Sequence, residues 1–372
     1  MFNFKEIYKA YLRARKTKRN TINALDFEIN FIENISNLET LLNTKTYTMQ
    51  RSVCFLTTSP KLREVFAADF SDRVVHHLVV PILEEIYEPL FIYDSYSCRK
   101  GKGIHGAMKR AKKFSKTSQY YLQLDIKNFF YTIDKNILFQ MLNKCIVKNY
   151  EKKVRKTSVT LNELLWLIHK IIFHDVTKNV IIKDATGSLK KIPPHKTLFK
   201  IPKSKGIPIG NLTSQFFANV YLNDFDNFCK RELKCKRYIR YVDDFVIFDE
   251  NKESLLEIKD KIEQYFQSNL KISLREKVIL KKSDEGLDFL GYIIRPTYVL
   301  VRNRVVQNYK QKKARYLDSY EKEEGKMEYD NIKKFLAVKA SFLGHIKHAN
   351  HYNLQKKIGE VDENNPFDYN KL

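Results

Sequence analysis

No two cysteines in this 372-residue chain are spaced as Cys-x-x-Cys, and the five present (Cys54, Cys98, Cys145, Cys229 and Cys235) are odd in number. This argues against a disulfide framework and against a cysteine-built zinc site, and it predicts reduced thiols. No apolar run approaches the ~18 residues of a helical membrane span. The opening Met1-Phe2-Asn3-Phe4-Lys5-Glu6 lacks the basic, apolar and small-residue succession of a cleavable secretory signal. The expectation is a soluble, intracellular protein. Acidic residues are in deficit, because 43 Asp and Glu face 67 Lys and Arg and leave a formal net charge of +24. So unbalanced a chain attracts polyanions, of which nucleic acid is the usual one. Lysine-rich codon usage explains part of the excess, so the charge names a class of partner and not an activity. No internal repeat is visible.

Apolar residues are present in quantity: they make up 43% of the chain, which has 25 Phe and 22 Tyr. A substantial core follows, and disorder throughout is excluded. Residues 4–42 carry apolar positions at mixed helical spacing and predict two helices joined by the basic stretch 13–19. That stretch reads either as a solvated helix end or as a phosphate-backbone contact. Short strands and turns are expected over 46–68. A helix over 72–87 follows, with Pro81 as a kink or a first-turn residue. A glycine-punctuated loop at 101–106 leads to a helix over 107–114. A buried strand over 120–124 ends in Asp125. Helices are expected over 134–146, 161–174 and 253–266, and one long helix over 213–233. A lysine-rich hairpin or flexible insertion is expected over 176–205, strand–turn–strand over 236–249, and short strands over 271–281 and 287–294. From residue 303 the pattern predicts helices broken near Gly325 and Gly344. This alternation suits an antiparallel sheet backed by helices, an α+β fold.

The chemistry-bearing pattern is Tyr241-Val242-Asp243-Asp244-Phe245-Val246-Ile247-Phe248, two acids between two apolar half-strands. Adjacent carboxylates in a tight turn repel each other. A divalent cation with a preference for hard oxygen ligands would offset that, and so would solvation of an ordinary acidic turn. Asp125, taken alone, reads as a cap or turn residue. Two strand-borne acids brought together could hold a pair of cations that activate a 3′-hydroxyl and stabilise a departing pyrophosphate.

In this order the motifs resemble the reverse transcriptase family. Asp125 to Phe130 resembles its first catalytic motif and Tyr241 to Phe245 its YxDD box. Gly206-Ile207-Pro208-Ile209-Gly210-Asn211-Leu212-Thr213-Ser214-Gln215 resembles its nucleotide-positioning motif, and Phe289-Leu290-Gly291-Tyr292 its primer grip. Asp72-Arg73 and Ser95-Tyr96-Ser97-Cys98-Arg99 resemble its finger motifs. The likeness runs from about residue 50 to 295. It implies a right-hand polymerase with a basic helical extension over 1–45, fingers and palm over 46–295 with an insertion at about 176–205, and a helical thumb over 296–372. It implies two Mg²⁺ ions, or Mn²⁺ in their place, held by Asp125, Asp243, Asp244 and the Ile126 carbonyl. Phe130 stands at the steric gate against a ribose 2′-hydroxyl, although a plain core aromatic would look the same. Lys61 and Arg63 lie on the segment that closes over the triphosphate, where an exposed basic turn is the alternative. Ile209, Gly210 and Gln215 would position the nucleotide. Lys277 would lie near the leaving pyrophosphate, with Lys281 and Lys282 as rivals.

Pro208-Ile209-Gly210 stands where many reverse transcriptases carry Pro-Gln-Gly. With the Asn-Leu-Thr-Ser-Gln that follows, the segment Ser341-Phe342-Leu343-Gly344-His345-Ile346-Lys347-His348-Ala349-Asn350 and the N-terminal Tyr11-Leu12-Arg13-Ala14-Arg15-Lys16, this resembles the enzymes of diversity-generating retroelements. That subgroup implies error-prone copying of a template RNA into cDNA, with errors opposite adenines. The implied partners are template RNA, the RNA–DNA duplex, dNTPs and a small, basic, helical accessory protein, in the cytoplasm and with no membrane. The implied source is a bacterium or a phage. Retron, group II intron and phage-defence reverse transcriptases are the alternatives, and no maturase or endonuclease pattern follows residue 295. An RNA-binding scaffold on a dead polymerase fold is the non-enzymatic one, against which the three intact acids argue. His345, His348 and His351, three apart and without carboxylate or cysteine partners, predict packing or RNA contact rather than a metal site.

Overall fold

The computed structural model describes residues 1–16, 18–58, 61–184, 187–322 and 329–359. Asn3 caps the first helix, α1 (Phe4–Arg15), by accepting from the Glu6 N–H. Its Ile7, Ala10, Tyr11 and Ala14, spaced on one helical face, are buried against α4 (Phe70–Tyr87). Between them lie α2 (Ile22–Ile29) and α3 (Phe31–Asn43), so the N-terminal segment has three helices where two were expected. The break is Asn30, which leaves helical geometry at φ −122° and ψ 44°. The hairpin β1 (Ser52–Thr57) and β2 (Arg63–Ala67) precedes α4, which runs through Pro81. Helix α5 (Ile104–Ser115) opens after Gly103.

Strand β3 (Tyr120–Asp125) leads through the short α6 (Phe129–Thr132) to α7 (Lys135–Lys153), capped by Asp134, and to α8 (Leu161–Phe173), opened by a Thr160–Glu163 capping box. Among the described residues of 176–205 no hairpin forms. Their strand β4 (Val180–Lys183) pairs in parallel with β1, from Ser52↔Val180 to Phe55↔Lys183, and makes a three-stranded sheet β2-β1-β4. The chain then returns to the same sheet, where the Thr197 hydroxyl (2.7 Å) and the Leu198 N–H (2.5 Å) donate to buried Glu64. The long helix expected over 213–233 is divided. Helix α9 (Leu212–Tyr221) stops at Leu222, and α10 (Asn223–Asn227) passes into a single π-type turn.

Strands β5 (Arg237–Tyr241) and β6 (Asp244–Asp249), helix α11 (Lys252–Tyr265) and strand β7 (Ile279–Lys282) complete the central sheet. Its order is β5-β6-β3-β7, antiparallel throughout. Residues 271–278, expected as strand, contribute one isolated bridge, Leu274 to Ile126. Both faces of the sheet are covered, and the period of two shows which residue goes where. Leu122, Leu124, Tyr238, Phe245 and Ile247 join the helices of one core. Tyr121, Ile239, Val246 and Phe248 join a second core under α5 and a smaller antiparallel sheet of β8 (Leu287–Phe289), β9 (Tyr292–Ile294) and β10 (Val299–Val301). Helices α12 (Asn303–Lys322), α13 (Tyr329–Ile346) and α14 (Tyr352–Lys357) follow. Gly344 lies within α13 and does not break it, and Gly325 is outside the described residues. The architecture is α+β, as the element order predicts.

Candidate active site

Antiparallel register brings the acids together. Asp125, the last residue of β3, is paired with Asp244, the first of β6, and Asp243 sits in the two-residue turn between β5 and β6. That turn is unusual in its first position, where Val242 has φ 58°. A β-branched residue in the left-handed region costs of order 1–3 kcal/mol unless its surroundings hold it. The holding group is Arg240, 1% exposed, whose Nη1 donates to the Val242 carbonyl at 2.9 Å. Its Nε and Nη2 form a fork on Asp226 at 2.7 and 2.6 Å, and Nη1 also reaches Asn219 Oδ1 at 3.2 Å. The Tyr238 hydroxyl also donates to Asp226, at 2.6 Å. Asn219 in turn donates to the Ser97 carbonyl at 2.8 Å, which ties this buried network to the 95–99 segment.

The carboxylates crowd one another. Burial, then the charge of Asp125, pushes Asp243 up to about 6. Burial pushes Asp244 up to about 7, opposed by the Gln123 amide, which donates to it at 3.2 Å. Asp125 is raised by burial too, against the pull of Arg275, Lys61 and Arg63. One Asp125 oxygen, Oδ2, lies 2.8 Å from Arg275 Nη1; the other, Oδ1, is buried and finds no hydrogen-bond partner among the described residues. An orphaned anionic oxygen beside a second strained carboxylate fits a divalent cation. Among the described residues no three His, Cys, Asp or Glu side chains form a cage of their own. Mg²⁺ does not need one, since it is commonly held by one or two carboxylates with water and substrate phosphate completing its octahedron.

The 206–215 segment runs between β2 and α6. The Phe66 N–H of β2 donates to the Ile209 carbonyl at 2.8 Å. Gly210 has φ +119°, and a Cβ there would lie 2.7 Å from the Phe66 carbonyl oxygen and 2.8 Å from Val65 Cγ1, so only glycine fits. Half-buried Phe130 stands edge-on to Phe129, and its carbonyl accepts from the Ile207 N–H at 2.9 Å. Exposed Gln215 accepts from Cys98 Sγ at 3.3 Å. Lys61 and Arg63, at the start of β2, are exposed and direct their charge at Asp125. Ile126, fully buried, donates its N–H to the Asp243 carbonyl at 3.3 Å.

Lys277 is exposed, and its charge acts with that of Arg302 on Asp288, whose own charge acts on Asp244. In the β8–β9 hairpin, Phe289 and Tyr292 are buried, and only Leu290 (φ 54°) and Gly291 (φ 88°) form the turn. The Tyr292 hydroxyl donates to the His345 carbonyl at 2.9 Å, and the two rings stack at 4.3 Å, so that histidine packs on the hairpin. Asp72 and Arg99 are consumed by the scaffold. Asp72 accepts from the Tyr47 hydroxyl and the Gln50 N–H, and Arg99 grips Glu88 and two carbonyls. Arg240 and Arg275 were not singled out by sequence reasoning. An arginine inside a buried strand requires a partner, and that was the available signal for Arg240.

The chain matches the family model described as reverse transcriptase (RNA-dependent DNA polymerase) over residues 58–294. It is 28% identical over 276 residues to the group II intron-encoded protein LtrA of Lactococcus lactis subsp. cremoris, covering 64% of this chain and 45% of that protein. It therefore spans less than half the length of that relative. It is 23% identical over 294 residues to protein YkfC of Escherichia coli strain K12, covering 68% and 69% of the two chains. Apo telomerase from Candida tropicalis, truncated from its C-terminal domain, shares the fold at a TM-score of 0.51 and 14% identity, over 68% of this chain and 55% of that one. No helix of the described residues is long and apolar enough to cross a membrane. A family match over more than half of the chain takes in both strand ends that carry Asp125, Asp243 and Asp244, and this chain belongs to the reverse transcriptase (RNA-dependent DNA polymerase) family.

Proposed function

We propose that this protein is an RNA-directed DNA polymerase that extends a primer by two-metal nucleotidyl transfer. The observation that carries this reading is the meeting of Asp125 and Asp243, with the buried Oδ1 of Asp125 left without a donor. Asp125, Asp243 and the Ile126 carbonyl would hold two Mg²⁺ ions, with Mn²⁺ able to substitute, and Asp244 would lend charge from the paired strand. When bound, such ions neutralise phosphate oxygens and lower the pKa of the attacking 3′-hydroxyl. Lys61 and Arg63 would meet the triphosphate, while the Ile209–Gly210 backbone and Gln215 seat the template–nucleotide pair. Phe130 would exclude a 2′-hydroxyl. The Leu290–Gly291 turn, supported by Phe289 and Tyr292, would carry the primer terminus. Lys277, whose charge acts on Asp288, would lie near the leaving pyrophosphate. In hand-like terms, residues 46–295 serve as fingers and palm, 1–45 as a basic extension and 296–372 as a thumb.

Within the family, the Pro208-Ile209-Gly210 triplet and Asn211 to Gln215 support an error-prone enzyme of a diversity-generating retroelement. Its partners would be a template RNA, the RNA–DNA duplex and a small basic helical protein. Ile209 offers no side-chain amide to the templating pair, and looser positioning lowers fidelity. The likeness to the LtrA protein favours a second reading, a group II intron-type enzyme. Primer extension on an RNA template with Mg²⁺, followed by product sequencing, separates these. D243N should abolish extension while RNA binding persists. Errors concentrated at template adenines and reduced by I209Q support the retroelement reading. Accurate copying points to the intron-type enzyme, and extension by D243N would overturn the proposed chemistry.

A further inference from the structure

Arg275 lies outside every motif used above. Its backbone is fixed beside the first catalytic-type strand: its N–H donates to the Asp125 carbonyl at 2.8 Å, the neighbouring Leu274 bridges Ile126, and the Lys127 N–H donates to the Ser273 carbonyl at 2.9 Å. The side chain turns back to the same aspartate, with Nη1 2.8 Å from Oδ2. The guanidinium thus neutralises a carboxylate that a divalent ion needs. Both partners keep solvent contact, at 42% and 30% exposure, so the pair is weak and exchangeable. Arg240 and Asp226, at 1% and 0%, form a pair of the opposite kind.

We propose that Arg275 is a displaceable counterion. In the nucleotide-free protein it neutralises Asp125 and competes with the divalent cation. When metal and nucleotide enter together, the guanidinium is released from Asp125 onto the triphosphate. The proposal rests on the two-metal reading of this site. A guanidinium fork matches phosphate as well as carboxylate, so the same side chain serves both partners. Its role is electrostatic, and no proton passes through it. Because displacement is easiest when a phosphate is there to receive the arginine, metal and nucleotide favour each other's binding.

The test is Mn²⁺ titration of the nucleotide-free full chain by electron paramagnetic resonance, paired with steady-state kinetics for one dNTP. With its competitor removed, R275Q should bind Mn²⁺ about fivefold more tightly, the scale of an exposed ion pair. Its KM for the dNTP should rise by a similar factor, equally at pH 7 and pH 9, and R275K should restore part of both effects. Unchanged or weaker Mn²⁺ binding by R275Q overturns the proposal, as does an unchanged KM. D125N distinguishes the underlying reading: if it binds Mn²⁺ as the wild type does, the carboxylate site itself is wrong, whatever Arg275 does.

Discussion

Arg240 allows a prediction in which stability and chemistry separate. Asp226 is fully buried, so removing the guanidinium leaves a carboxylate with the Tyr238 hydroxyl as its remaining partner. Breaking a buried pair in this way costs about 3–5 kcal/mol. R240K is milder, since the charge stays, but one ammonium cannot serve both Asp226 oxygens, Asn219 and the Val242 carbonyl together. The contact it gives up most readily is the outermost, to Val242, whose φ of 58° is then unsupported. Asp243 is the next residue. Loss of a hydrogen bond from a charged donor, worth about 1.5–3 kcal/mol, corresponds to a rate loss of roughly 10- to 100-fold if it is felt at the reacting geometry. Glycine at 242 adopts the left-handed region without strain. Urea unfolding and single-turnover primer extension should therefore give different answers for R240K and R240K/V242G. The double variant should recover the rate and at most the strain of the turn, remaining well short of wild-type stability because the Asp226 pair stays impaired. Recovery of both together, or of neither, would refute the view that Arg240 acts through the turn.

The raised acids set a pH dependence with a definite sign. Asp243 and Asp244 hold their protons more tightly folded than unfolded, so their contribution is complete below about pH 4 and is lost as pH rises through 6 to 7. Buried His76 and half-buried His77, held down at about 3 and 4, act in the opposite sense as pH falls below their unfolded value, so the comparison must be with a variant that keeps them. In EDTA, D244N should be more stable than the wild type by about 1–3 kcal/mol at pH 8 and equal to it near pH 4, with Mg²⁺ closing the gap; parallel denaturation curves at the two pH values would contradict this. G210A should lose extension activity on the order of 100-fold, because a shift of the Ile209–Gly210 backbone away from β2 would misplace the nucleotide in the proposed reading. F130V should raise ribonucleotide incorporation relative to dNTPs by roughly 10- to 100-fold, and unchanged discrimination would return Phe130 to the status of a core aromatic.

The strands that carry the acids were legible because both faces of the central sheet are buried and its residues sort strictly by parity between two cores. Tyr121 and Leu122 differ by one position and face opposite sides. The acids interrupt these runs at the strand ends. Strand β4 had no such signature. Val180-Ile181-Ile182-Lys183 is largely exposed, and what makes it a strand is parallel pairing with β1, far away in the chain. Such pairing leaves no local period to read. The division of the expected 213–233 helix rests on one residue, Leu222 at φ −98° and ψ 2°, and leucine is a good helix former. Tertiary packing decided there against propensity.

The same limit explains why sequence reasoning named Lys277 and passed over Arg275. Lys277 was named because the resembling family carries a lysine there; on the strand expected over 271–281 Arg275 would share its face, so spacing did not single the arginine out. Residues 271–278 are not a continuous strand. After the Leu274–Ile126 bridge the chain turns, with the Val278 N–H donating to the Glu276 carbonyl at 3.0 Å, and the turn separates Arg275 at Asp125 from Lys277 at Asp288. The functional difference between Arg240 and Arg275 is likewise one of surroundings. Arg240 is buried with all three guanidinium nitrogens hydrogen-bonded, so its charge is structural and its removal exposes an uncompensated anion. Arg275 keeps solvent on a carboxylate that a metal would use, so its charge can move to a better partner. Residue type and spacing located the acids, but which cation is fixed and which is exchangeable follows from burial, and burial is a property of the folded chain.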